Sequence, residues 1–104
     1  MFDRPSLVVA VKSDCDGCRF FYAGDHSILA PRHVILVTRD EFRPGEYGDA
    51  VHEVLLAPQL LDALDVRWPP FYVAVDVQPV RAICEGVAFS PEQVASELAN
   101  QRAM

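Results

Sequence analysis

The chain has 104 residues, 51% of them hydrophobic and 23% charged, a composition that fits one globular domain, 1–104, and excludes a disordered tail or a multidomain assembly. Fifteen acidic against nine basic side chains give a formal net charge of −6, with no basic stripe to neutralise phosphates, so nucleic acid is not an expected partner. The longest early apolar run, residues 7–11, falls far short of a membrane span or a secretory leader, so the expected setting is the cytoplasm with no membrane partner.

Residues 6–12 (Ser-Leu-Val-Val-Ala-Val-Lys) form a β-branched, apolar run bounded by polar residues, the pattern of a strand buried on both faces. The turn Cys15-Asp16-Gly17-Cys18 follows. A helix is predicted from about Gly17, with an interruption at Gly24-Asp25 before Pro31 closes the segment. Residues 34–38 (Val-Ile-Leu-Val-Thr) make a second apolar strand, so the order implies a right-handed βαβ unit with parallel strands.

Residues 39–49 hold six charged side chains, one Pro and two Gly and read as an exposed loop. Residues 51–56 suit a short edge strand, and 58–64 have helical spacing with Pro58 in the first turn. Residues 71–76 are the clearest strand. Residues 80–84, joined to it through Val77, Gln78 and Pro79, should pair with it as an antiparallel hairpin. The last helix has a written start: Phe89 to staple onto Val94, Ser90 as cap, Pro91 in first position and Gln93 completing a capping box. Val94, Ala95, Leu98 and Ala99 form its expected buried face. The order β-α-β, loop, α, β-hairpin, α means α/β with a mixed sheet.

Three cysteines are too few, and odd in number, for a disulfide scaffold. Cys15 and Cys18 form a Cys-x-x-Cys pair at the end of an apolar strand and the mouth of a helix. Cys84 stands apart, as a small core thiol in its strand. Two further stretches carry family information: residues 64–76, Leu-Asp-Val-Arg-Trp-Pro-Pro-Phe-Tyr-Val-Ala-Val-Asp, and residues 85–91, Glu-Gly-Val-Ala-Phe-Ser-Pro. With the segment Val11 through Arg19 they resemble the thioredoxin superfamily over most of the chain. The resemblance implies a thioredoxin-like fold and makes residues 66–70 the family's cis-proline loop. Val66, four positions before, selects Pro70 over Pro69, so the Pro69–Pro70 bond should be cis. Asp76 resembles a strand-ending acid of related reductases, and Gly86 the glycine that ends the last family strand. Few residues precede the cysteines, so this resembles a trimmed member. Glutaredoxins are similarly short there, but their glycines after the last strand are not evident. Asp14 stands where thioredoxins have Trp, Asp16-Gly17 where they have Gly-Pro, and Val9 where they bury an acid.

The resemblance implies a thiol:disulfide oxidoreductase with Cys15 as nucleophile, Cys18 as resolving thiol, and Trp68, Pro69 and Pro70 along the substrate edge. No cofactor or metal is called for. At a helix N-terminus the unpaired N–H groups favour a Cys15 anion, while Asp14 and Asp16 oppose it and Lys12 and Arg19 offset them in part, so the pair leans towards reductant. The substrate is a protein or small-molecule disulfide, and the electron donor is not named by the sequence. In the family the residue before the cis-proline lends its N–H and C=O to a substrate strand. Pro69 has no N–H, which points to a restricted or dedicated substrate.

Two rival readings stand beside this one: a non-catalytic thioredoxin-fold interaction module with a structural or relic pair, and a metal site joining the thiolates to His26, His33 or His52, which the irregular His spacing does not favour. Trp68 is either an aromatic lip over the pair or a shield for the helix ending near Leu64. Phe20, Phe21 and Tyr22 read as core and rim packing. The acidic loop, residues 40–49, reads as solvated surface with room for partner recognition.

Overall fold

The computed structural model describes residues 3–66 and 68–103, the last three of these by backbone only; Arg67, within the proline loop motif, lies outside them. Its chain order is β1 (Ser6–Ala10), α1 (Asp16–Tyr22), a 3-10 turn (Ser27–Leu29), β2 (His33–Thr38), β3 (Val54–Leu56), α2 (Pro58–Ala63), β4 (Phe71–Asp76), β5 (Arg81–Val87) and α3 (Pro91–Ala103). The five strands form one mixed sheet in the order β3-β2-β1-β4-β5. β1 pairs parallel with β2, and β2 with β3, while β1–β4 and β4–β5 are antiparallel.

All of β1 is buried because both of its faces are covered. Its alternating side chains divide the core. Leu7, Val9 and Val11 join Leu36, Tyr72 and Ala74 beneath α1 and α3, which contribute Cys18, Phe21, Tyr22, Val94 and Leu98. Val8 and Ala10 join Val37, Val73 and Val75 on the opposite face, covered by Leu61 of α2 and by Val66. The strand-helix-strand order read from the sequence is therefore present, with parallel strands.

The helix after the cysteines stops at Tyr22, where Ala23 N–H closes on Arg19 O at 2.9 Å. Gly24 follows because only glycine fits: a Cβ there would lie 2.2 Å from Phe20 O. The predicted edge strand begins at Val54 rather than 51, since the N–H groups of Val51 and His52 donate to Tyr22 O instead of to a strand neighbour. The hairpin's second strand is shifted and longer than expected, Arg81–Val87 rather than 80–84. Its ladder with β4 runs through Glu85 and Gly86 to Val87 opposite Phe71, with a bulge between Ala74 and Val75, so pairing carries the strand past residues that do not favour it. The same ladder means that Gly86 lies within the strand instead of ending it.

The capping box of α3 forms: Gln93 N–H donates to Ser90 Oγ at 3.1 Å, and Gln93 Oε1 accepts from Phe89 and Ser90 N–H. Of the expected staple pair, Val94 is fully buried in the core while Phe89 is 67% exposed. Ala99 is likewise exposed, beyond the buried stripe of Val94 and Leu98, and Phe20 is solvent-facing while Phe21 and Tyr22 enter the core.

At the sheet end away from the cysteines, Arg32 is buried and its guanidinium donates to Asp76 Oδ1 at 3.1 Å and to the carbonyls of Ser6 and Val75 at 3.4 Å. Asp76 thus closes its strand by balancing a buried charge. Among the described residues no helix is long and apolar enough to cross a membrane.

Candidate functional site

Cys15 takes the N-cap of α1 in extended backbone (φ −109°, ψ 115°), and its Sγ accepts the Cys18 N–H at 3.2 Å. The thiol fills the role that Ser or Asp has in an ordinary cap. Cys15 is half-buried. Cys18, one turn on, is fully buried, and its Sγ accepts the Lys12 N–H at 3.4 Å. Burial pushes the Cys18 thiol up to about 12; its hydrogen bond with Cys15 and the charges of Cys15 and Asp14 act the same way, against the Lys12 amide. Both thiols are free.

The proline loop reaches this turn. The Pro69–Pro70 peptide is cis, as the register expects. A methyl group added at Gly17 would sit 3.4 Å from Pro70 Cγ, so the ring lies directly against the Cys-x-x-Cys turn. Pro70 O accepts the Ala88 N–H at 3.0 Å, tying the loop to the entry of α3. Cys15 and Cys18 from one stretch of chain and Pro70 from another are therefore brought together. Trp68 is 70% exposed and stands with Pro69 at the lip of a cleft lined by Val11, Leu61 and Val66. That exposure does not suit a shield over α2.

The two cations expected to offset the carboxylates beside Cys15 have partners in the acidic loop, and Ser13 bonds to it as well. Arg19 pairs with Asp49, Lys12 Nζ lies 3.7 Å from Asp40, and Ser13 Oγ donates to Glu46 at 2.6 Å. The acidic loop, residues 40–49, therefore folds back towards the cysteine turn through Asp40, Glu46 and Asp49.

Cys84 differs from expectation. It lies on the edge strand β5, half-buried rather than covered by the sheet, because no further strand pairs beyond β5 in the sheet order. Its Sγ is 3.4 Å from the Tyr72 hydroxyl, which donates to Glu97 on α3. That bond, with one from Gln93, holds the Glu97 carboxyl below its usual range, while burial first, then the Cys84 and Glu97 contacts, push the Tyr72 phenol up.

Two of the three histidines weighed as metal ligands lie together. His26 and His52 stack with ring centroids 3.6 Å apart and planes within 9°, and their Nε2 atoms meet the carbonyls of Phe21 and Gly24. As a donor to the Gly24 carbonyl, His52 fastens the segment before β3 to the end of α1, while the His26 bond to Phe21 closes the turn locally. His33 is exposed at the start of β2. Among the described residues no group of three or more His, Cys, Asp or Glu side chains is placed to hold a metal ion. Comparison with known protein families and with curated proteins gives no match to this chain.

Proposed function

We propose that the protein is a thiol:disulfide oxidoreductase of thioredoxin-like kind, with Cys15 as nucleophile, Cys18 as resolving thiol and Pro70 shaping the substrate edge. The observation that carries the reading is the convergence of a capping Cys15, a buried Cys18 one turn away and the cis Pro70 packed on Gly17. The strand order and the helices on both faces support the thioredoxin-like arrangement. In a cytoplasmic setting the pair rests as two thiols.

In this mechanism the Cys15 thiolate attacks one sulfur of a substrate disulfide, forming a mixed disulfide and releasing the first substrate thiol. Cys18 gives up its proton and attacks the Cys15 sulfur; the second substrate thiol leaves, and the two electrons of the pair have reduced the substrate. The resting Cys18 is a poor nucleophile by virtue of its raised pKa. Once Cys15 is bonded to substrate its negative charge is gone, and with it one of the causes that hold the Cys18 proton. Resolution is thus coupled to the first step.

Burial of Cys18 also favours the rival reading, a structural pair in a non-catalytic interaction module. Thiol titration separates the two. The reduced protein has three free thiols; mild oxidation by diamide should remove two of them, leave a peptide pair linked through Cys15 and Cys18, and be reversed by dithiothreitol. Retention of all three thiols would overturn the oxidoreductase reading.

A further inference from the structure

The cleft beside the proline loop lies outside the carboxyl ends of the parallel neighbours β1 and β2, on the face that α2 covers. In open α/β sheets the ends where parallel strands exit are the ordinary place for a ligand. Here it is lined by Val11 and Lys12 just past β1, by Arg39 and Asp40 just past β2, and by Trp68 and Pro69 across from them, with Leu61 and Val66 as apolar floor.

Among the described residues the cleft holds two ion pairs of unequal strength: Arg39 is closely matched by Asp62, whereas Lys12 is only loosely matched by Asp40. The Lys12–Asp40 pair is long, 3.7 Å, and both side chains are substantially exposed, so it yields readily to a competing anion. Arg39 is held in place by Asp62 at 2.6 Å and the Val66 carbonyl at 2.7 Å, which fixes the guanidinium at the cleft wall. The cavity of about 120 Å³ has room for one ring or a short branched chain. Its indole lip offers a flat apolar face.

We propose that this cleft binds a small organic carboxylate: a single aromatic ring or compact branched group against Trp68, Leu61 and Val66, with the carboxylate on Lys12 and the rim of Arg39. The site borders the proposed substrate edge through Trp68 and Pro69, but its binding test does not depend on turnover of the cysteine pair.

Trp68 is the only tryptophan in the chain, so its fluorescence reports on this cleft alone. The full-length protein is titrated with phenylacetate, with its neutral isostere phenylacetamide and with the cation phenethylamine, in buffer of constant ionic strength. A saturable change with phenylacetate is expected, at an affinity about fivefold or more above that of phenylacetamide, with phenethylamine weakest despite the net negative charge of the protein. Lys12→Gln, an exposed substitution, should weaken phenylacetate about fivefold and leave phenylacetamide unchanged. Amide shift changes should fall on Val11, Lys12, Arg39, Asp40 and Val66. Linear, unsaturable quenching, a preference for phenethylamine, shift changes centred elsewhere, or unaltered phenylacetate binding in Lys12→Gln would each overturn the assignment.

Discussion

Brief treatment with iodoacetamide near neutral pH should alkylate Cys15 first, Cys84 more slowly and Cys18 last. Cys15 and Cys84 are half-buried, whereas Cys18 has no exposed surface. Raising the Cys18 thiol from 9.0 to about 12 lowers its thiolate fraction about a thousandfold at any pH well below both values, and the thiolate is the species that reacts. Steric closure acts on top of that factor. Time-resolved peptide mass spectrometry gives the three rates, with a urea-denatured control in which all three thiols react alike. Burial is the largest cause of the shift. Cys18 should therefore stay slow in Cys15→Ser, which removes only the smaller contributions of its neighbour. A folded-state Cys18 rate within about tenfold of Cys15 would refute the burial argument, and Cys84 reacting first would refute the choice of nucleophile.

Further outcomes concern the substrate edge and the frame. Pro69→Val restores an N–H next to the cis-proline, a gain on the order of 1 kcal/mol, so insulin reduction in the presence of dithiothreitol should rise several-fold while reduction of a small aromatic disulfide stays level; a slower insulin rate would count against the missing-donor argument. Asp76→Asn removes the countercharge of Arg32, whose side chain is only 5% exposed, and should cost about 2 kcal/mol in urea unfolding, less than a fully buried pair because Asp76 is 39% exposed. Arg32→Met should cost less, since the remaining carboxylate reaches water. Burial first, then the His52 charge, hold His26 below its ordinary value of 6.5. The unfolded chain therefore takes up that proton before the folded one, and stability is lost as pH falls below the unfolded value. His26→Gln should flatten this dependence between pH ~7.5 and ~5.5, measured by urea midpoints, a window above the range where the lowered carboxyls of Asp25, Glu46 and Glu97 titrate.

The apolar runs of β1, β2 and β4 were readable because burial on two faces leaves a continuous hydrophobic signature. The start of α3 was readable because Ser90 and Gln93 act within one turn, and the resemblance to thioredoxins led to the expectation that Pro70 lies beside the cysteine turn. What escaped depends on tertiary neighbours. Glu85 and Gly86 carry no strand signal of their own and are drawn into β5 by its ladder with β4. The exposure of Cys84 depends on which strand ends the sheet, which local pattern does not encode. Arg32 with Asp76, Tyr72 with Glu97, and the stacked His26 and His52 are polar matches across distant segments, with no periodicity to announce them. Phe89 shows the converse: a local staple pattern announced a contact, yet the side chain remains 67% exposed.

The two faces of the sheet are unequally covered. One carries α1 and the thirteen-residue α3, the other only the six-residue α2, whose cap residue Ala57 makes no side-chain bond and whose one fully enclosed side chain is Leu61. Elements with few enclosed contacts open on their own, ahead of global unfolding. Amide hydrogen exchange should accordingly fall into two tiers, fast in α2 and slow in β1 and β4. Leu61 is also the floor of the cleft beside Trp68. The softest helix thus adjoins a ligand-sized hollow, and occupancy there would be felt less as a change of shape than as a slowing of local breathing, a stiffening that amide exchange can time.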